Sequence, residues 1–382
     1  MCNAMQRSTH LHTPAWAPSI SVSRYRTRRT ARTNFGLLPP NATDSLARVK
    51  ADETILFDPV PGRPDALNVV YAYPNEYSVG ITSLGYQLVW AFLETSELTS
   101  VSRRFTDLAD PQTKRRRVDL VGFSFSWELD YSNIVSMLEG MDIPVNAAER
   151  QEEHPIVFGG GPVLTANPEP YAAWFDCVLV GDGEPLLDDF VRAVHEVVNG
   201  GGSRLDILDK LCLIPGVYVP QFYEPIYDGD SIIDIRPLRG APAYVEKQTY
   251  RGGTLASSTV VSPRMAWENI FMAEVVRSCP EMCRFCLASY LTLPFRAAPL
   301  EGSLIPTLER GLQVTDRIGL LGASVTQVRV GLVVDRPRAP NPSLLHYTSP
   351  LTPSLTCFSC SPPSTRSFQR CSNGLSSRSG TT

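Results

Sequence analysis

Between residues 67 and 200, short apolar runs alternate with segments of helical periodicity, and this alternation limits the fold more than any other feature of the chain. Leu67-Asn-Val-Val-Tyr-Ala72 predicts a buried strand and Tyr73–Gly80 the loop after it. Leu84, Val89, Trp90, Phe92 and Leu93 then fall on one helical face. A weaker edge strand is expected near 101–106. Val118–Phe125 predicts a second strong strand, followed by a helix carrying Ile134, Val135, Leu138 and Met141. Pro155–Phe158 and Cys177–Val180 predict two more strands, and Leu186, Leu187, Phe190, Val191, Val194 and Val198 a closing helix. Strands alternating with helices imply an α/β fold with a doubly wound parallel sheet. Such sheets bind ligands beyond the carboxyl ends of their strands. There stand Ser124, Ser126, Gly159, Gly160, Gly161, Gly181, Gly183 and Glu184. Glycine lets a backbone approach a ligand closely, but it also simply makes tight strand-to-helix turns, and both readings stand. Gly159-Gly-Gly161 is not the dinucleotide fingerprint, whose spacing differs.

The chain's 382 residues leave room for two ordinary domains, and 43% hydrophobic residues suffice for their cores. The net charge of -4 belongs to the middle, because residues 1–43 and everything after Asp335 lack acids. An acidic middle argues against a nucleic-acid-binding core, which needs a concentrated cationic face. No apolar run is long enough for an ordinary transmembrane helix. Arg7, Arg24, Arg26, Arg28, Arg29 and Arg32, set among Ser, Thr and Ala, make residues 1–45 read as a transit peptide for a plastid or mitochondrion. The competing reading is a disordered basic tail with no address. From Val328 the chain turns to Pro, Ser, Thr and Arg with no periodic apolar face, so residues 328–382 are expected to lack a packed core. Gln327-Val-Arg-Val330 could be encoded as an exon end running into a splice donor, so this tail reads as translated intron or a frame error. Sequencing the spliced transcript tests that.

The chemistry concentrates in Arg277-Ser-Cys279-Pro-Glu-Met-Cys283-Arg-Phe-Cys286, directly after an expected strand at Phe271–Val276. Three of the chain's nine cysteines lie in this run. Three thiolates on one loop can hold three irons of a [4Fe–4S] cluster and leave the fourth open, as a catalytic centre requires. A zinc site would need a fourth ligand, and the nearest downstream histidine is His346, in the tail. Unligated buried thiols are the other alternative. Ile305, Leu308, Leu312 and Val314 then fit a helix, and Arg317–Ser324 a second strand. Between the two parts, residues 203–265 suggest short strands in a small sheet, and no catalytic constellation. The pairs Asp188-Asp189 and Glu152-Glu153 read as solvated faces.

Cys-x3-Cys-x2-Cys after a strand, with the aromatic Phe285 before the last cysteine, resembles the radical S-adenosylmethionine (radical SAM) superfamily. The upstream α/β region is similar to a cobalamin-binding domain, and the order of the two resembles the cobalamin-dependent class. Tyr73-Pro-Asn-Glu-Tyr77, Gly159-Gly-Gly-Pro162, Gly181-Asp-Gly-Glu184 and Gly216-Val-Tyr-Val-Pro220 add to the resemblance, which covers roughly 55–327. It implies a cobalamin-binding-like, flavodoxin-like domain at 67–200, a linker at 203–265 and the start of a partial β/α barrel at 266–327. Cys279, Cys283 and Cys286 would hold the cluster, and its open iron the amino and carboxylate groups of S-adenosylmethionine. One electron would cleave the sulfonium and release a 5′-deoxyadenosyl radical. Phe285 would pack near the adenine, and Ser324 would contact the same molecule from the end of the second barrel strand. Arg277 would stand behind the cysteines or serve the fold, its charge near the anionic cluster tuning its potential. The serine and glycine turns with Glu184 would line the cobalamin. A reducing partner such as ferredoxin or flavodoxin is implied, and the substrate is not. Two departures matter. The Tyr73–Gly80 loop lacks the cobalt-ligating histidine of common cobalamin domains, so cobalamin binds without protein ligation or the fold persists without it. Only two barrel units precede the tail, so the rival reading is a non-catalytic corrinoid- or partner-binding module with an inert barrel fragment.

Overall fold

The computed structural model describes residues 48–110, 117–324 and 355–358, all within one unit spanning Gly36–Thr382. The expected transit segment 1–45 lies outside the described residues, as does most of 328–382. The strands, in chain order, begin with β1 (Thr54–Ile55), β2 (Leu67–Ala72), β3 (Thr99–Arg104), β4 (Leu120–Ser124), β5 (Ile156–Gly160), β6 (Cys177–Leu179) and β7 (Val217–Tyr218). Six of them form one sheet in the order β3-β2-β4-β5-β6-β7. The first five run parallel, and β7 closes the edge antiparallel to β6, so the sheet is mixed rather than all-parallel.

The strands form where the sequence is apolar on both faces, as a sheet covered on both sides demands. Successive side chains alternate between those faces. Val70, Ala72, Val121, Phe123, Val157 and Val178 join Ile134, Leu138, Leu164 and Phe175 on one side. Leu67, Val69, Tyr71, Leu120, Ile156 and Phe158 join Ile81, Tyr86, Trp90, Phe190 and Val194 on the other. Helices Leu84–Glu94 and Leu187–Asn199 sit where helical periodicity places them. The expected Tyr73–Gly80 loop differs, because Tyr77–Thr82 is a short helix, with Tyr77 and Ile81 buried. The weak edge strand is real. Its Arg103 is almost fully buried because it meets Glu53 at 2.8 Å and lies 4.4 Å over the Trp90 ring. Tyr77 also donates to Glu53, at 2.5 Å.

The 203–265 stretch departs from a small sheet of its own. It opens with helix Arg204–Leu211, started by a reciprocal capping box between Ser203 and Asp206. Leu208 and Leu211 of that helix enter the first core. After β7, the hairpin β8 (Tyr223–Asp228) and β9 (Ser231–Pro237) stands apart, with Ile232, Ile233 and Ile235 exposed. Then β10 (Val260–Val261) pairs with β1.

The second region contains β11 (Ile270–Glu274), β12 (Val276–Arg277), β13 (Arg296–Ala297), β14 (Arg317–Leu321) and β15 (Leu355–Phe358). β11 and β14 pair in parallel, and helix Ile305–Leu312 lies between them in the chain. Phe271, Ala273, Ile318 and Leu320 make a small core with Leu304 and Leu308. Ile270 and Met272 face the other way, into the core of the large sheet. Buried Gln87 ties the regions further: its amide donates to the Ile81 carbonyl at 2.7 Å, and its oxygen accepts from Thr259 N at 2.8 Å. β15, inside the stretch expected to lack a core, pairs in parallel with β14. An open strand edge presents unpaired backbone groups that such a segment can satisfy. Among the described residues, no helix is long and apolar enough to cross a membrane.

Candidate functional site

The cysteine loop leaves the carboxyl end of β11. β12 pairs with β13, Val276 opposite Ala297 and Arg277 opposite Arg296, which closes the loop at its base. Ser278 and Met282 take positive φ (72° and 48°), which non-glycine residues seldom adopt, and so turn the chain sharply. The buried Ser278 hydroxyl donates to the Ser289 carbonyl at 2.7 Å. Cys286 N donates to the Cys283 carbonyl at 3.0 Å, and the Tyr290 hydroxyl to the Met282 carbonyl at 2.9 Å. All three cysteines are free, Cys279 buried and Cys283 and Cys286 half-buried. Phe285 is 92% exposed, and Met282, Leu287 and Tyr290 are exposed beside it in sequence.

Among the described residues, no three His, Cys, Asp or Glu side chains are grouped so that they could hold a metal ion. Zinc needs its donors about 2.0–2.3 Å from one point, so the loop is not a ready zinc site. A [4Fe–4S] cluster makes a different demand, because each thiolate binds its own iron. Three free thiols on one short loop fit that donor chemistry.

The base of the loop is fixed by charge. The Arg277 guanidinium meets Glu274 at 2.7 Å, Glu184 at 2.9 Å and Asp182 at 3.2 Å. Burial alone would lower its pKa, but the hydrogen bonds and charges of Glu274 and Glu184 hold it above the ordinary value. Asp182 also receives Arg296 at 2.6 Å and the backbone of Tyr250 at 2.8 Å. All five ionic side chains are mostly buried, so these pairs are screened far less than surface pairs would be.

The predicted residues of the sheet's carboxyl edge are likewise placed. Gly181 has φ +104° and forms a bridge with Gln248, whose carbonyl would lie 2.2 Å from an added Cβ. Gly183 is half-buried beside Leu187, and Glu184 pairs with Arg277. Gly161, with φ +110°, precedes helix Pro162–Ala166, which lies against helix Leu287–Leu291 of the cysteine loop. Gly159 packs under Leu164 and Phe175, and Gly160 ends β5. Ser124 is buried at the end of β4, and Ser126 is half-buried two residues beyond it. Ser324 is half-buried just after Gly322, which packs on Val276. The carboxyl edge and the cysteine loop therefore face each other.

Residues 85–220 match the family model for radical SAM proteins, N-terminal. The match supports the radical SAM superfamily. It covers β3 to β7 of the sheet and ends before the cysteine loop, so the sheet and the cysteine spacing point the same way independently. An uncharacterised protein of Methanocaldococcus jannaschii is 24% identical over 260 residues, which is 68% of this chain and 49% of the relative. The chain thus spans about half the length of that relative. No solved structure matches.

Sequence reasoning missed Asp182, Glu274 and Arg296, because ion pairs between distant segments leave no local pattern. It also missed Asp130. This side chain sits after β4, accepts from Asn75 at 2.9 Å and is pushed up to about 6 by burial, against the pull of that hydrogen bond. The described histidines lie elsewhere: His195 pairs with Asp65, and His154 accepts from Gln151 N.

Proposed function

We propose that this chain is a radical SAM iron–sulfur enzyme in which Cys279, Cys283 and Cys286 hold a [4Fe–4S] cluster. The observation that carries the reading is three free thiols on one short loop, directly after a parallel strand and against the carboxyl edge of a sheet that matches this superfamily. Such a cluster, when bound, supplies the electron that cleaves the sulfonium of S-adenosylmethionine to methionine and a 5′-deoxyadenosyl radical. The chain's own residues prepare the site. Half-buried Cys283 and Cys286 leave the loop open on one side, and Phe285 stands free to cover an adenine. The end of β14, with Ser324 beyond it, packs on the segment that leads into the loop. A low-potential donor such as ferredoxin or flavodoxin fits as the electron source, and an organellar address fits the basic leader.

The five parallel strands, numbered by chain order, run 2-1-3-4-5, the order of flavodoxin-like sheets. That order supports kinship with cobalamin domains. The residues themselves do not fit a corrinoid. Gly181 and Glu184 are engaged with Gln248 and Arg277, and the described histidines lie away from the edge.

Anaerobic reconstitution of the full chain with iron and sulfide tests the reading. The expected result is a brown protein that forms 5′-deoxyadenosine from S-adenosylmethionine under reductant, with iron and absorbance lost when the three cysteines become alanine. Iron and absorbance that survive that triple substitution overturn it. A wild type that binds iron but makes no 5′-deoxyadenosine leaves the non-catalytic module.

A further inference from the structure

We propose that the Gly181–Glu184 turn of the large sheet is a positioning device for the cysteine loop, acting through Arg277. What Arg277 positions takes its meaning from the radical SAM reading, while the contact itself is a property of the apo chain.

The turn has the features of a clamp rather than an open cradle. Its backbone is paired: Asp182 N donates to the Gln248 carbonyl at 3.0 Å, and Gly181 N to the Thr165 hydroxyl at 3.1 Å. Both of its carboxylates reach into the other region. Asp182 meets Arg277 and Arg296, which stand opposite each other on β12 and β13, the two strands that close the loop. Glu184 takes a second edge of the Arg277 guanidinium. The third carboxylate, Glu274, lies three residues before Arg277 in the chain, so it stiffens the arginine locally while Asp182 and Glu184 reach across.

Only Ser278 separates Arg277 from Cys279. It cannot absorb a displacement freely, since it sits at φ 72° with its hydroxyl pinned to Ser289. A shift of the guanidinium therefore passes to Cys279, which is 9% exposed. The planar guanidinium can engage three carboxylates at once, which an ammonium point charge cannot match. Arg277→Lys should accordingly restore the clamp only in part.

The test uses the full apo chain. Cysteines are alkylated under reducing conditions and mapped by peptide mass spectrometry, with Cys177, 0% exposed in β6, reporting the fold of the sheet. Arg277→Gln should alkylate Cys279 about tenfold faster than wild type with Cys177 still protected, and Arg277→Lys should fall between. Adding Glu184→Gln to Arg277→Gln should change the Cys279 rate no further, because the two act through one contact. A wild-type Cys279 rate in Arg277→Gln, or fully additive effects in the double variant, overturns the proposal. If Arg277→Gln also opens Cys177, Glu184→Gln alone decides: a faster Cys279 supports the clamp and a wild-type rate overturns it. Iron uptake is read in parallel. A wild type that takes up no iron removes the enzyme reading, and the thiol map still judges the clamp.

Discussion

The large sheet and the region that carries the cysteines are built from the same unit, a strand, a helix and a parallel strand, yet they end in different states. In the large sheet both faces are covered, and Arg103 and Glu53 pair at 1% and 2% side-chain exposure. In the second region β11 and β14 have a small core of their own, and the loop beyond them turns Phe285, Leu287 and Tyr290 to solvent. The difference teaches where stability and reactivity lie. The sheet is a finished scaffold, and the loop borrows its rigidity through buried carboxylates. Strongly held elements support a site, while the site itself comes from the less protected end of the molecule.

The sharpest way to break this comparison is at the scaffold. Glu53→Ala leaves the Arg103 charge buried with its main partner gone and strips Tyr77 of its acceptor. The expected cost is about 3–5 kcal/mol, read as a lower urea midpoint for the whole chain. A loss under about 1 kcal/mol would mean that the edge of the sheet is far wetter than its burial implies.

Leu308→Ala addresses the second core. Leu308 is 8% exposed in a small cluster, so the expected cost is about 2–3 kcal/mol, at the low end for such truncations. Hydrogen exchange should quicken across 305–321 and stay slow in β2 and β4. Equal acceleration in all of these strands would show one cooperative core and erase the distinction between the regions.

Legibility in the sequence follows the same divide. Leu67–Ala72 and Cys177–Leu179 were readable because strands covered on both faces must be apolar throughout. β3 was faint because its most buried side chain is Arg103, an arginine made tolerable by Glu53 fifty residues away. Helix Arg204–Leu211 was hidden by its shortness and by the glycines before it, although Ser203 and Asp206 spelled its cap. The three cysteines announced themselves by spacing, a local property. The clamp did not, because Asp182 and Arg277 meet only after folding, and the glycine turn that carries Asp182 looks like a ligand cradle until its partners are seen.

Acidity separates the regions more gently. Asp130, at the carboxyl edge, is held at about 6 by burial, above the ordinary value of about 3.9. The folded state therefore binds more protons than the unfolded state between those values. This group's contribution to stability falls as pH rises through that window and is constant above it. Asp130→Asn cannot ionise, and its amide oxygen can still accept from Asn75. The variant should gain stability relative to wild type at pH 7.5 and little at pH 4.5, by urea midpoint. The same difference at both values would show that Asp130 does not titrate in this window.

The smallest effect on stability is expected at Phe285, and it sharpens the comparison most. A side chain 92% exposed has little burial to lose, so Phe285→Ala should move the urea midpoint by less than about 0.5 kcal/mol. If that ring exists to cover an adenine, the reconstituted variant should need several-fold more S-adenosylmethionine for half-maximal 5′-deoxyadenosine formation, with iron content unchanged. Stability and function would then respond to opposite ends of the chain's burial scale, Glu53 to one and Phe285 to the other. Unchanged concentration dependence would assign the exposed ring to some other contact and leave the thiols alone to define the site.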